Sequence, residues 1–124
     1  MKALLGIEPK TIERTTNIEG QSFPIHEFTS DKWAAIVKPL REPKEGQTAD
    51  DIVKNTLDIV IVGLEGEGYK PTIEDRKQVT KILQNGGIRE YLHRLCMLND
   101  YGFDQVKAAE KKYAAVLSND TKSN

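Results

Sequence analysis

Apolar and polar positions alternate over the first quarter of the chain and then settle into a helical period. Residues 11–28 read as strand, turn, strand. Thr11-Ile12-Glu13-Arg14-Thr15-Thr16 is rich in β-branched residues, and Asn17 to Gln21, with Gly20, serves as the hairpin turn. Ser22 to Phe28 follows, with Phe23, Ile25 and Phe28 as its apolar side chains. Pro24 has no N–H for a ladder, so this strand belongs at a sheet edge. A lone hairpin is marginal in water and must lean on other elements.

Helical spacing then takes over. Thr29 or Ser30 can cap a helix through Trp33, Ile36, Val37 and Leu40, stopped near Pro39 or Pro43. Residues 41–47 form a polar linker. Thr48-Ala49-Asp50-Asp51 is a variant capping box with Asp in place of Glu. It opens a helix carrying Val53, Leu57, Val60 and Leu64, which Gly63, Gly66 and Gly68 end. Thr72 caps the next helix, which runs through Val79, Ile82 and Leu83 to Asn85 and is broken by Gly86-Gly87. Ile88, Tyr91, Leu92, Leu95 and Leu98 make the stripe of another helix, ending at Asn99. Asp104 caps the last one, with Val106, Ala109, Tyr113, Val116 and Leu117 on one side. The expected fold is mainly α, about five helices with a short N-terminal β-hairpin packed on them. Residues 1–117 form one globular domain, and the polar tail 118–124 is expected to be disordered.

One helix departs from a simple amphipathic pattern. In the second half of the helix from Thr48, Ile59 and Ile61 flank the main stripe and Val62 points backward between Asp58 and Asn55. A helix apolar all round is either central in its fold or covered by a partner. Met97 is a second outlier, on a face with Arg89, Glu90 and His93. Ile59, Ile61, Val62 and Met97 are therefore the candidate partner-binding residues. The competing reading packs the first three against the hairpin and the Trp33 helix. Val62 and Met97 also raise self-association.

Composition narrows the function classes. The 124 residues carry 18 basic and 19 acidic side chains, a net charge of −1. No element shows the basic excess from which DNA binders draw affinity; the cluster Lys107, Lys111, Lys112 is interrupted by Glu110. The single cysteine, Cys96, rules out an internal disulfide and fits a reducing compartment. The apolar run of Met1 to Ile7 stops at Glu8-Pro9, short of a signal sequence, and no run approaches the ~20 residues of a membrane span. A cytosolic protein without membrane or nucleic-acid partners is expected.

The residues that could carry chemistry have ordinary readings. His93 and Cys96 share a helix face, but a zinc site needs three or four ligands. Glu65 and Glu67 would repel a phosphate from the Gly63–Gly68 segment, which reads as a helix stop. The acidic pairs Asp50/Asp51, Glu65/Glu67 and Glu74/Asp75 sit at helix ends. No catalytic site, cofactor or metal is expected, and an enzyme is not.

The order of elements resembles a known family. A hairpin ending in Ile25-His26-Glu27-Phe28-Thr29 leads into a helix, a polar linker, an apolar helix and a Pro71-Thr72-Ile73-Glu74-Asp75 start. A helix pair ending in Leu98-Asn99 precedes Phe103-Asp104-Gln105-Val106-Lys107-Ala108-Ala109-Glu110-Lys111-Lys112. This arrangement, over roughly residues 11 to 118, resembles the tail assembly chaperones of long-tailed, non-contractile phages. The linker at 41–47 and the glycine-rich turn at 63–68 depart from it. The resemblance implies a protein of the host bacterial cytoplasm that binds the tape measure protein until tail tube protein replaces it. It also implies a longer frameshifted form of the same chain. It implies no catalytic residues. The other readings are a small regulatory or immunity-type binding protein and a minor virion component such as a head–tail connector.

Overall fold

In the computed structural model, which describes residues 12–122, two residues turn the hairpin. Strands β1 (Ile12–Ile18) and β2 (Gln21–Glu27) pair antiparallel, with Ile18 opposite Gln21 and Ile12 opposite Glu27. Between them Glu19 and Gly20 both take positive φ, 53° and 84°. That is the primed turn whose twist matches the strands. The Asn17 side-chain oxygen accepts the Gly20 N–H at 3.0 Å. The turn is thus tighter than the Asn17–Gln21 loop expected from sequence. The Met1–Ile7 run and Thr11 lie outside the described residues.

Four helical elements follow: α1 (Ser30–Arg41), α2 (Ala49–Glu65), α3 (Ile73–Tyr101) and α4 (Phe103–Lys122). The fold is mainly helical with the hairpin packed on the helices, but about five separate helices were expected. The difference lies at Gly86-Gly87. Both glycines are helical, and the chain bends earlier, at Gln84 (φ 58°, ψ −179°), inside α3. Gly87 serves close approach: a Cβ there would sit 3.3 Å from Leu83 Cβ and 3.8 Å from Ile18 Cγ2. Two further boundaries differ. Pro39 lies within α1 and does not stop it. Phe103, one residue before Asp104, opens α4.

The starts of α2 and α3 follow the sequence closely. Thr48 and Asp51 form a reciprocal capping box, and so do Thr72 and Asp75. Each satisfies amide groups that the first turn leaves without partners. α4 is helical through Lys122; the side chains of Tyr113, Val116 and Leu117, expected on its stripe, lie outside those described, as do the last two residues of the tail.

The core collects Ile18 and Ile25 from the hairpin, Trp33 and Val37 from α1, Val60 and Ile61 from α2, and Tyr91, Leu95 and Leu98 from α3. Val106 joins it from α4. Polar ties fix the layers. The Tyr91 hydroxyl donates to the Pro24 carbonyl at 2.6 Å. Trp33 Nε1 donates to Asp100 at 2.8 Å, and Arg41 meets the other oxygen of that carboxylate at 2.7 Å. Asn99 brackets the end of β2, accepting from Phe28 N–H at 2.7 Å and donating to the His26 carbonyl at 3.2 Å.

Arg94 is the least expected core residue, at 1% exposure. Its guanidinium bonds Glu90 at 2.9 Å, the Thr16 hydroxyl at 3.1 Å and the Asn17 carbonyl. Glu110 of α4 closes the cluster, accepting from the Thr16 hydroxyl at 2.5 Å and the Asn17 N–H at 3.1 Å. Hairpin, α3 and α4 therefore meet at one buried, satisfied polar group of the kind that costs dearly to break on one side only.

Candidate protein-binding surface

α2 changes character along its length. From Leu57 to Gly63 it is packed on the hairpin and α3. Gly63 is part of the helix and not its stop: a Cβ at that position would lie 2.7 Å from Leu95 Cδ2 and 3.0 Å from Tyr91 Cε1. The Gly63 carbonyl accepts from His26 Nδ1 at 2.8 Å, and the helix ends at Gly66, φ 99°. From Ala49 to Lys54 the same helix is exposed. Val53, expected on the core stripe with Leu57 and Val60, is 57% exposed, and Ile52 beside it 46%. Helical spacing places Ala49, Ile52, Val53 and Thr56 in line with the buried Val60, so the apolar stripe runs out past the elements that cover it.

The four residues singled out from sequence take two roles. Ile59 and Ile61 are 3% and 1% exposed and belong to the chain's own core. Val62 and Met97 are half-buried and pack against that core. Ile59 and Val62 line one shallow hollow of about 170 Å³ with Ile36, Pro39 and Pro71. Ile61 lines a different one, and Met97 lines neither.

A larger hollow, about 530 Å³, lies between α1, the polar linker and the exposed half of α2. Its charges are mixed: Lys38, Lys44 and Lys54 against Glu42, Glu45 and Asp51. Ile61's hollow is a groove of about 190 Å³ between β2, the last turn of α2 and the first half of α3. Phe23, Pro24, Leu64, Val79 and Leu83 form its apolar walls, and Ile82, 56% exposed, stands at its lip. Among the described residues, Glu65 and Asp75 are its charged lining residues. The Tyr69 hydroxyl donates to Asp75 at 2.8 Å. That bond, then the Thr72 N–H, holds the Asp75 carboxyl below its ordinary value, and the same bond to Asp75 pushes the Tyr69 hydroxyl up.

The other sequence candidates resolve locally. His93 is exposed and Cys96 half-buried, with the thiol pushed up by burial and by Asp100. Among the described residues no three His, Cys, Asp or Glu side chains gather as a metal site would require, and no helix is long and apolar enough to cross a membrane. Asp51 and Asp75 serve as caps, and Glu67 pairs with Lys32. Sequence reasoning missed the groove, because Phe23, Leu64 and Ile82 come from three elements whose adjacency no spacing reveals. It also missed Arg94, although its place three residues after Tyr91 and four before Leu98 sets it at the edge of the buried stripe.

The chain matches no protein-family model, no curated protein and no solved structure.

Proposed function

We propose that the chain is a protein-binding assembly factor, a tail assembly chaperone of a long-tailed phage that holds the tape measure protein in the host cytoplasm until tail tube protein replaces it. The observation that carries the binding role is the exposed continuation of the α2 core stripe, Ile52 and Val53, on a helix whose following turns are sealed. Apolar helix surface of this kind suits helix-in-groove recognition, in which an amphipathic client lays its apolar face on the chaperone. The family resemblance supplies the identity of the client. It also supplies the longer frameshifted form as a second partner. Val62 and Met97, half-buried and outside the exposed half of α2, serve self-association in this reading, while Ile59 and Ile61 belong to the core that supports the helix.

The test is co-expression of the chain with a tape measure protein encoded beside it, where its genome holds one, followed by capture on a tag. Co-purification of soluble tape measure protein is expected, with loss of capture by Val53→Asp. No capture by the folded wild-type chain would overturn the chaperone reading. Recovery of the chain in purified virions would instead make it a structural part, since an assembly chaperone leaves the finished particle.

A further inference from the structure

The groove between β2, the last turn of α2 and the first half of α3 differs from the hollow beside α1 in having one sign of charge, and from the hollow at Ile59 and Val62 in carrying two carboxylates where that one carries Asp58 alone. At about 190 Å³ it falls below the ~300–1,000 Å³ of small-molecule sites and is sized for an anchoring side chain. Its walls are apolar, and its two charged residues are both acidic. Glu65 is also placed against the local rule. It ends α2, whose last turn contains no basic residue, so a negative side chain adds to the negative end of the helix dipole. Asp75, held ionised by its hydrogen bonds from Tyr69 and Thr72, faces the same groove. Helical spacing turns Lys77 and Lys81 to the opposite side of α3, and Arg76, whose charge reaches Asp75, is itself paired with Asp58 at 2.7 Å. Placements that break a local rule without local compensation mark functional positions.

Resting on the protein-binding reading above, we propose that this groove docks a cationic amphipathic helix of the client: one large apolar side chain enters between Phe23 and Ile82, and flanking lysines or arginines face Glu65 and Asp75. The opposite charges select the client's basic face and speed encounter, and the apolar anchor supplies residence. The larger hollow beside α1 offers no such selection, because its three lysines and three carboxylates present no net sign.

Fluorescence anisotropy tests this with a labelled helical peptide carrying leucines on one face and lysines on the other, and with its counterpart in which glutamate replaces lysine. The lysine peptide is expected to bind, more weakly as NaCl rises. Glu65→Lys and Ile82→Ser are each expected to weaken it about tenfold, on the scale where 1.4 kcal/mol is a factor of ten. Both positions are exposed, and thermal melts establish that the variants are folded. Ile73→Ser serves as control, since Ile73 is 67% exposed and outside the groove. Equal binding of the glutamate peptide, an unchanged affinity in both groove variants, or an equal loss in Ile73→Ser overturns the proposal. The two readings fail separately. Tape measure protein captured undiminished by Glu65→Lys and Ile82→Ser removes the groove and leaves the chaperone. Peptide binding without tape measure capture does the reverse.

Discussion

The two halves of α2 both carry apolar side chains, the second half more of them, and meet opposite fates. Between Leu57 and Gly63, Val60 and Ile61 are 0% and 1% exposed, enclosed by the hairpin and α3. Between Ala49 and Thr56, Ile52 and Val53 stand on the same side of the helix, about half exposed. The helix is continuous across the change, opened by a full capping box and interrupted by no unusual backbone. Periodicity therefore reports which face of a helix is apolar, not where along its length that face is covered. Coverage depends on where neighbouring elements end, which is a property of the assembled fold.

The sharpest way to break this comparison is to truncate one residue from each half. Ile61→Ala is expected to destabilise the fold by about 2–5 kcal/mol, because the side chain is buried at 1% exposure among core residues of α2, α3 and the hairpin. Chemical denaturation followed by circular dichroism measures it. A loss under about 1 kcal/mol would mean that the sealed half is less tightly packed than the structure has it.

The cap that begins the exposed half comes next. The Thr48 hydroxyl accepts the Asp51 N–H at 3.2 Å, and Asp51 returns a bond to the Thr48 N–H at 3.1 Å. Thr48→Ala is expected to cost about 1 kcal/mol. The loss should appear as fraying confined to the first turns of α2, read by faster amide exchange at Ile52 and Val53 with little change at Val60. Equal acceleration at Val60 would show that the two halves unfold as one unit.

These elements also show how far the sequence was legible. Both capping boxes could be read because their chemistry is local, with partners three residues apart. The stripe Ile88, Tyr91, Leu95, Leu98 could be read because all four face one dense core. The bend in α3 was legible only to within two residues, falling at Gln84 and not at the glycines. Gly86 and Gly87 signal a break by composition, yet both are helical, and Gly87 sits where a Cβ would press on Leu83 one turn back, at 3.3 Å. Arg94 reads as a surface charge in sequence because its partners on the hairpin and on α4 are far away along the chain. Of the candidate site, Ile61 was picked out as unusual, but its neighbours Phe23 and Ile82 became a groove only when three elements met.

Acid separates the caps from the buried cluster. Asp51 and Asp75 are held below their ordinary value of 3.8, Asp51 by the Thr48 N–H and hydroxyl, Asp75 by the Tyr69 hydroxyl and Thr72. Burial pushes Glu110 up, but the Thr16 hydroxyl, the Asn17 N–H and Lys107 outweigh it and hold it below 4.5. A carboxyl depressed in the folded state stabilises it above the unfolded pKa, and the contribution is lost as pH falls through the folded one. Stability is therefore expected to be level from pH 7 to about 5 as far as these groups are concerned, and to fall below about 4.5. Glu110→Gln should lower stability at neutral pH and flatten that fall. An unchanged acid slope in denaturation midpoints would remove Glu110 from the acid response.

The smallest expected effect decides whether the exposed half of α2 is structural or functional. Val53→Ser replaces an exposed side chain by one of similar helix propensity, so stability should change by no more than about 0.5 kcal/mol. An exposed apolar side chain that adds nothing to the fold is ordinary when single. Here Ile52 adjoins Val53 and continues a core stripe, which gives the position a different meaning. Val53→Ser should leave the melting curve in place while reducing capture of the client protein. If denaturation shows a loss above about 1 kcal/mol, some element of the chain covers Val53 in solution, and the two halves of α2 are less different than their exposure indicates.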